Sequence, residues 1–181
     1  VYLAWTVNLL TSLLGAITLV CYVVIYTPLK RTTTLNTVIG AIPGALPPLM
    51  GWTAARGEVT VEGWSLFAIQ FFWQLPHFLA IAWLYRDDYA RAGFAMLPVV
   101  DPEGTRTGRQ AVSYALGLLP VSLCQLLFGQ AGMAYFVGAV ILGVGFLFCA
   151  IQFARRLSTG AARQLFLASI LYLPLLLWLM V

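Results

Sequence analysis

The chain has 181 residues, of which 61% are hydrophobic and only 9% charged, whereas a water-soluble domain carries about 25% charge. That composition excludes an ordinary soluble globular domain. The net charge of +4 is gathered into alternate loops, so it reflects membrane topology rather than a nucleic-acid partner.

Apolar windows of about 18 residues or more read as membrane-spanning helices, because roughly 20 residues at 1.5 Å rise cross a hydrocarbon core of about 30 Å. Six such windows lie near residues 9–26, 35–54, 64–85, 111–128, 133–154 and 164–181. None alternates apolar and polar residues as a barrel strand does. The expectation is an all-α fold, a polytopic transmembrane helix bundle of six spans, with residues 1–181 forming a single domain. The chain starts at Val1 with no basic leader before the first span, and is expected to be either a processed form or a piece of a longer protein.

Span 1 closes with "YTPLKR", which places Tyr26, Lys30 and Arg31 at its end. Span 2, "LNTVIGAIPGALPPLMGWTA", carries Pro43, Pro47 and Pro48. Prolines remove backbone donors and kink or break a helix, and broken backbone at membrane depth requires protein or a wet cavity around it. Gly40 and Gly44 form a GxxxG pair, read as a packing surface. Span 3 and its exit, "QLPHFLAIAWLYRDDYARAGF", hold the chain's one histidine, His77, and then Arg86, Asp87, Asp88 and Arg91. The connection over 86–110 carries half of all the charged residues and is expected to be partly packed as a short cap. Cys21, Cys124 and Cys149 lie in apolar windows without CxxC spacing and read as small buried hydrophobes.

Loops 1, 3 and 5 contain every Lys and Arg except Arg56. By the positive-inside rule they face the cytoplasm, with the termini and loops 2 and 4 opposite.

Adjacent carboxylates repel, so Asp87 and Asp88 call for a cation or full solvation. Magnesium, which takes carboxylate oxygens together with substrate phosphates, is one reading. The other is simple ion pairing with Arg86 and Arg91 on a solvated helix end, Asp87 and Arg91 having i,i+4 spacing. Tyr26, Lys30 and Arg31 share that membrane face, and the convergence suits a metal–diphosphate site in which basic side chains hold phosphate oxygens. On a continuous helix His77 lies about 16 Å from Asp88 and about 20° round from it. An intramembrane histidine is a functional residue by default, as metal or haem ligand or proton carrier; the alternative is a neutral side chain hydrogen-bonded to Gln70 or Gln74. Trp73, Trp83, Tyr85 and Tyr89 offer π faces to a cation or anchor the membrane boundary.

"YTPLKRTTTLNTVIGAIPGALPPLMGW", "WQLPHFLAIAWLYRDDYARAGFAMLPVV" and "TRTGRQAVSY" together resemble the haem O synthase (protohaem IX farnesyltransferase) family, a branch of the UbiA-type intramembrane prenyltransferases. The resemblance covers most of the chain. It implies a nine-helix bundle around a cavity open sideways to lipid, of which six spans are present. It also implies magnesium as cofactor and two aspartate-rich motifs that bind magnesium and diphosphate. The second motif maps to Asp87-Asp88, and a tyrosine–lysine motif maps to Tyr26 and Lys30. The first is expected on helices before Val1, since the earliest acidic residue is Glu58; the chain would then hold half of the metal site, and activity is expected only of the completed protein.

The implied reaction transfers farnesyl from farnesyl diphosphate to a vinyl group of haem B, in a bacterial plasma (inner) membrane. Asp87, Asp88 and Lys30 are assigned to catalysis, and Asp87 and Asp88 to the metal. Tyr26, Lys30, Arg31, Arg86 and Arg91 are assigned to diphosphate, and His77 to the haem substrate. Two other readings remain: prenyl transfer to an aromatic quinone precursor, and a non-catalytic haem-binding or transport subunit.

Overall fold

The computed structural model describes residues 2–129 and 131–180. The described residues form helices and no strands. These are α1 (Tyr2–Thr6), α2 (Leu9–Val20), a π-helical turn (Cys21–Tyr26), α3 (Thr27–Leu29), α4 (Asn36–Arg56), α5 (Val61–Leu84), α6 (Arg86–Arg91), α7 (Leu97–Val100), α8 (Thr105–Leu127), α9 (Met133–Arg156) and α10 (Thr159–Trp178). Six segments are long and apolar enough to cross a bilayer: 9–29 and the five long helices α4, α5, α8, α9 and α10.

The bundle is organised around α5, which packs against α4, α8 and α10, while α9 closes α8 to α10. Ala111 and Ala115 of α8 and Ala150 of α9 let backbones approach, and Phe146, Phe153, Leu165 and Tyr172 fill the space between. Polar atoms inside are paired as an apolar medium requires: Tyr135 donates to the carbonyl of Ser122 at 2.7 Å, and the Ser122 and Tyr172 hydroxyls lie 2.8 Å apart. Outward, Leu13, Ile17, Ile141, Val144, Phe148 and Leu171 are all exposed. So much outward apolar surface is unstable in water. This is an integral membrane protein.

Contacts fix which loops share an end. Ala95 N–H donates to Lys30 O at 2.8 Å, joining loops 1 and 3. Gly104, in the left-handed region at φ +75, sits against Trp83 and Leu157 so closely that a Cβ would strike both, joining loops 3 and 5. At the opposite end Asn8 donates to Thr53 O at 2.8 Å and Gln125 to Ser65 Oγ at 2.7 Å. The expected grouping of loops 1, 3 and 5 is thus the arrangement found.

Three local expectations need correction. Span 2 is not broken: α4 runs unbroken through all three prolines. Its neighbours pack closely on it: the Tyr26 ring is seated on Gly40, and Gln74 lies against Gly44 and donates to Ala41 O at 2.7 Å. Second, the connection expected over 86–110 is shorter. α8 starts at Thr105 because buried Asp101 accepts from Thr107 N and Oγ1 at 2.8 and 2.9 Å, capping the first turn. The remainder folds as α6 and α7. Third, α5 does not continue into Asp87. It ends at Leu84, and Tyr85 (φ −112, ψ 24) turns the chain before α6. The continuous-helix distance and angle between His77 and Asp88 therefore do not apply.

Candidate functional site

At the end of span 1, Pro28 has no amide hydrogen and its ring would crowd the carbonyl of Val24 in an α-helix. The chain widens into the π turn, with Thr27 N–H donating to Tyr22 O. Such turns are frequent at functional sites. Here it brings Tyr22 and Tyr26 edge to face, ring centroids 5.6 Å apart. Lys30 Nζ lies 4.5 Å from the centre of the Tyr26 ring. With Tyr89, Phe78, Thr37 and Met96 the two tyrosines line a recess of about 100 Å³.

A buried asparagine ties this corner to the acidic helix. Asn36, fully buried, donates from Nδ2 to Thr33 O at 2.7 Å and to Ala95 O at 2.9 Å. Ala95 in turn donates to Lys30 O. The segment after α6 is folded back by Ala92 N–H to Asp88 O and Phe94 N–H to Tyr89 O, both 3.0 Å. Lys30 and α6 are thereby held together by backbone bonds. Asn36 was not identified from sequence; its one signal is an amide side chain just inside an apolar span. We predict that Asn36→Ala leaves Ala95 O without this buried donor, at about 1–3 kcal/mol, while Thr33 O keeps the main-chain N–H of residue 36 at 3.3 Å. The expected result is a raised KM for a diphosphate substrate in the full-length protein, measured alongside thermal stability; an unchanged KM would show that the clamp does not serve the site.

Asp87 and Asp88 open α6 and are both solvated, with side chains 91% and 59% exposed. Arg86 Nε lies 3.8 Å from Asp87, and Arg91 pairs with Asp88 at i,i+3, not with Asp87 at i,i+4 as the spacing suggested. Arg86 also lies 4.9 Å over the buried Trp83 ring. Asp87 and Arg86 border a recess of about 280 Å³ against Pro98, Val99 and Pro102, separate from the tyrosine recess. Arg31 is exposed at the same end. No third His, Cys, Asp or Glu completes a metal cluster among the described residues. Two accessible carboxylates fit a magnesium site completed by water and substrate phosphate, not a closed protein cage.

His77 is half-buried on α5. Its partner is neither Gln70 nor Gln74 but Ser169 on α10, with Nδ1 and Oγ 2.7 Å apart. The ring stacks with Trp73 (5.0 Å, 19°) and with Phe166 (5.2 Å, 28°). Trp73 is an internal brace, not a boundary anchor, its Nε1 donating to Ser169 O at 2.8 Å. Ser169 and Phe166 carried no sequence signal. The pairing spans 92 positions in the chain.

The model of the UbiA prenyltransferase family matches residues 1–179. The chain is similar to the protoheme IX farnesyltransferase of Solibacter usitatus, 52% identical over 174 residues, covering 96% of this chain and 60% of the relative. It is 50% identical to that of Koribacter versatilis over 182 residues (97% and 59%), and 49% identical to that of Salinibacter ruber over 153 residues (84% and 54%). The chain thus spans about three-fifths of the length of the curated relatives it matches. No solved structure matches. With the family model covering nearly every residue of a six-span bundle, the chain belongs to the UbiA prenyltransferase family.

Proposed function

We propose that this chain provides the acceptor wall and half of the diphosphate end of an intramembrane prenyltransferase that moves farnesyl from farnesyl diphosphate to a vinyl group of haem B. The observation that carries the reading is the tethering of Lys30 and Tyr26 to the Asp87–Asp88 helix through Ala95 and Asn36. It gathers acidic, basic and phenolic groups at one end of a greasy bundle, in a chain whose relatives are named protoheme IX farnesyltransferase.

Lys30, Arg31, Arg86 and Arg91 are the basic groups for phosphate oxygens, with the Tyr26 ring under Lys30. Asp87 and Asp88 would hold magnesium, and a magnesium ion bound there neutralises charge on the diphosphate. As the allylic C–O bond breaks, the electron pair leaves with diphosphate, and the aromatic surfaces of Tyr22, Tyr26 and Tyr89 shelter the farnesyl cation from water. The terminal vinyl carbon attacks C1 of farnesyl. Water then adds at the other vinyl carbon and loses a proton, giving a hydroxyethylfarnesyl substituent. His77 contacts the haem. The decisive assay supplies the full-length protein with farnesyl diphosphate and either haem B or an aromatic quinone precursor. Farnesylation of haem alone is expected; transfer to the aromatic acceptor alone, or no prenyl transfer to either, overturns the reading.

We further place the chain in a bacterial plasma membrane with loops 1, 3 and 5 cytoplasmic, on the strength of their nine basic residues. In a variant with its three cysteines replaced by alanine, Glu58→Cys and Glu103→Cys are expected to react with a membrane-impermeant thiol reagent from opposite sides. Glu103→Cys should be protected in intact cells. Labelling of both from the outside would defeat this orientation.

A further inference from the structure

Ser169 is fully buried on α10, and its Oγ makes two close contacts: 2.6 Å to the carbonyl oxygen of Phe166 and 2.7 Å to His77 Nδ1. A hydroxyl has one proton and two lone pairs, while a carbonyl only accepts. Two oxygens 2.6 Å apart need a proton between them. The Ser169 proton is therefore committed to Phe166, and toward His77 the hydroxyl can only accept. Nδ1 must carry the ring proton, which leaves the lone pair of neutral His77 on Nε2. Stacking against both Trp73 and Phe166 restrains the ring from turning to reverse this. Trp73 in turn is anchored to the Ser169 carbonyl. Nε2 has no hydrogen-bond partner among the described residues and is not sealed inside the protein.

We propose that Ser169 is a positioning residue that fixes His77 as its Nδ1–H tautomer, so that the Nε2 lone pair is presented to the iron of a metallated tetrapyrrole. Imidazole ligands are commonly set in this way, by an acceptor on the nitrogen remote from the metal that fixes tautomer and ring orientation. The proposal rests on the placement of His77 at the haem substrate, and it gives the Phe166–Ser169 turn of α10 a specific task in that contact.

The test uses the full-length protein and two readouts. The first needs no tetrapyrrole. With 15N-labelled histidine, the signals lost in His77→Ala identify His77. Wild type is expected to show a protonated Nδ1 and an unprotonated Nε2, and Ser169→Ala to shift toward the Nε2–H form. The second is binding of haem B, and of iron-free protoporphyrin, followed by absorption and by the iron–histidine vibration. Ser169→Ala is expected to weaken haem about 10–100-fold and to lose or broaden the iron–histidine signal, with protoporphyrin affinity and farnesyl diphosphate binding unchanged. An Nε2–H tautomer in wild type, or a Ser169→Ala variant with unaltered tautomer and haem spectrum, overturns the proposal. If the tautomer behaves as expected but His77→Ala leaves haem binding intact, the haem role of His77 fails, and with it the delivery of Nε2 to iron.

Discussion

Asp87→Asn and Asp88→Asn are each expected to lower farnesyl transfer by on the order of 10²-fold or more in the full-length protein, and to shift the magnesium requirement to higher concentration. The ion pairs seen on α6 frame the contrast. Both carboxylates are solvated, and each has an arginine partner that is itself substantially exposed, Arg86 at 45% and Arg91 at 77% of the side chain. Pairs of that kind contribute about 0–1 kcal/mol, so a purely structural role predicts a small change in stability and unaltered chemistry. A metal–diphosphate role predicts the reverse: normal folding and a large loss of turnover, because charge on the departing diphosphate is no longer neutralised. Arg86 and Arg91 are then the groups released to phosphate when the carboxylates take up metal, and Lys30→Ala should act in the same direction by removing a phosphate contact. Transfer rate against magnesium concentration decides between the two. Wild-type rates with an unchanged magnesium curve in both aspartate variants would remove Asp87 and Asp88 from the site.

The fold was legible because a bilayer imposes one rule on sequence, an apolar run of sufficient length, and six such runs became six spanning helices. What that rule does not reach is local geometry. The window for span 4 began at residue 111, but α8 begins at Thr105. Its polar first turn is stabilised by Asp101, six positions before Thr107 and buried, a cap with no periodic signature. The prolines of span 2 predict a kink or a break beside a cavity or close neighbours. α4 nevertheless runs through them, and Gly40 and Gly44 admit the side chains of Tyr26 and Gln74 from neighbouring segments, which is tertiary context. The acidic and basic members of the candidate site were visible, since charge in an apolar chain stands out. Their supports were not. Asn36 and Ser169 are uncharged, and their partners Ala95 and His77 lie 59 and 92 positions away.

The second large effect is expected at His77. In the full-length protein His77→Ala should raise the KM for haem B more than tenfold while leaving that for farnesyl diphosphate within about twofold, a tenfold change corresponding to about 1.4 kcal/mol of lost contact. Distance separates the two proposed substrate contacts. From His77 to the end of α5 at Leu84 is seven residues, about 10 Å along the axis, and Tyr85 then turns the chain before the first carboxylate is reached. A side chain held against Ser169 by its Nδ1 and stacked by Trp73 and Phe166 does not swing across that gap. Removing the imidazole takes away one hydrogen bond to the buried Ser169 hydroxyl, which keeps its bond to Phe166 O, so the bundle itself should fold normally and α6 should be undisturbed. Initial rates measured with each substrate varied at saturation of the other give the two constants separately. Parallel losses for both substrates in a normally expressed variant, or no change in either, would take His77 out of haem handling.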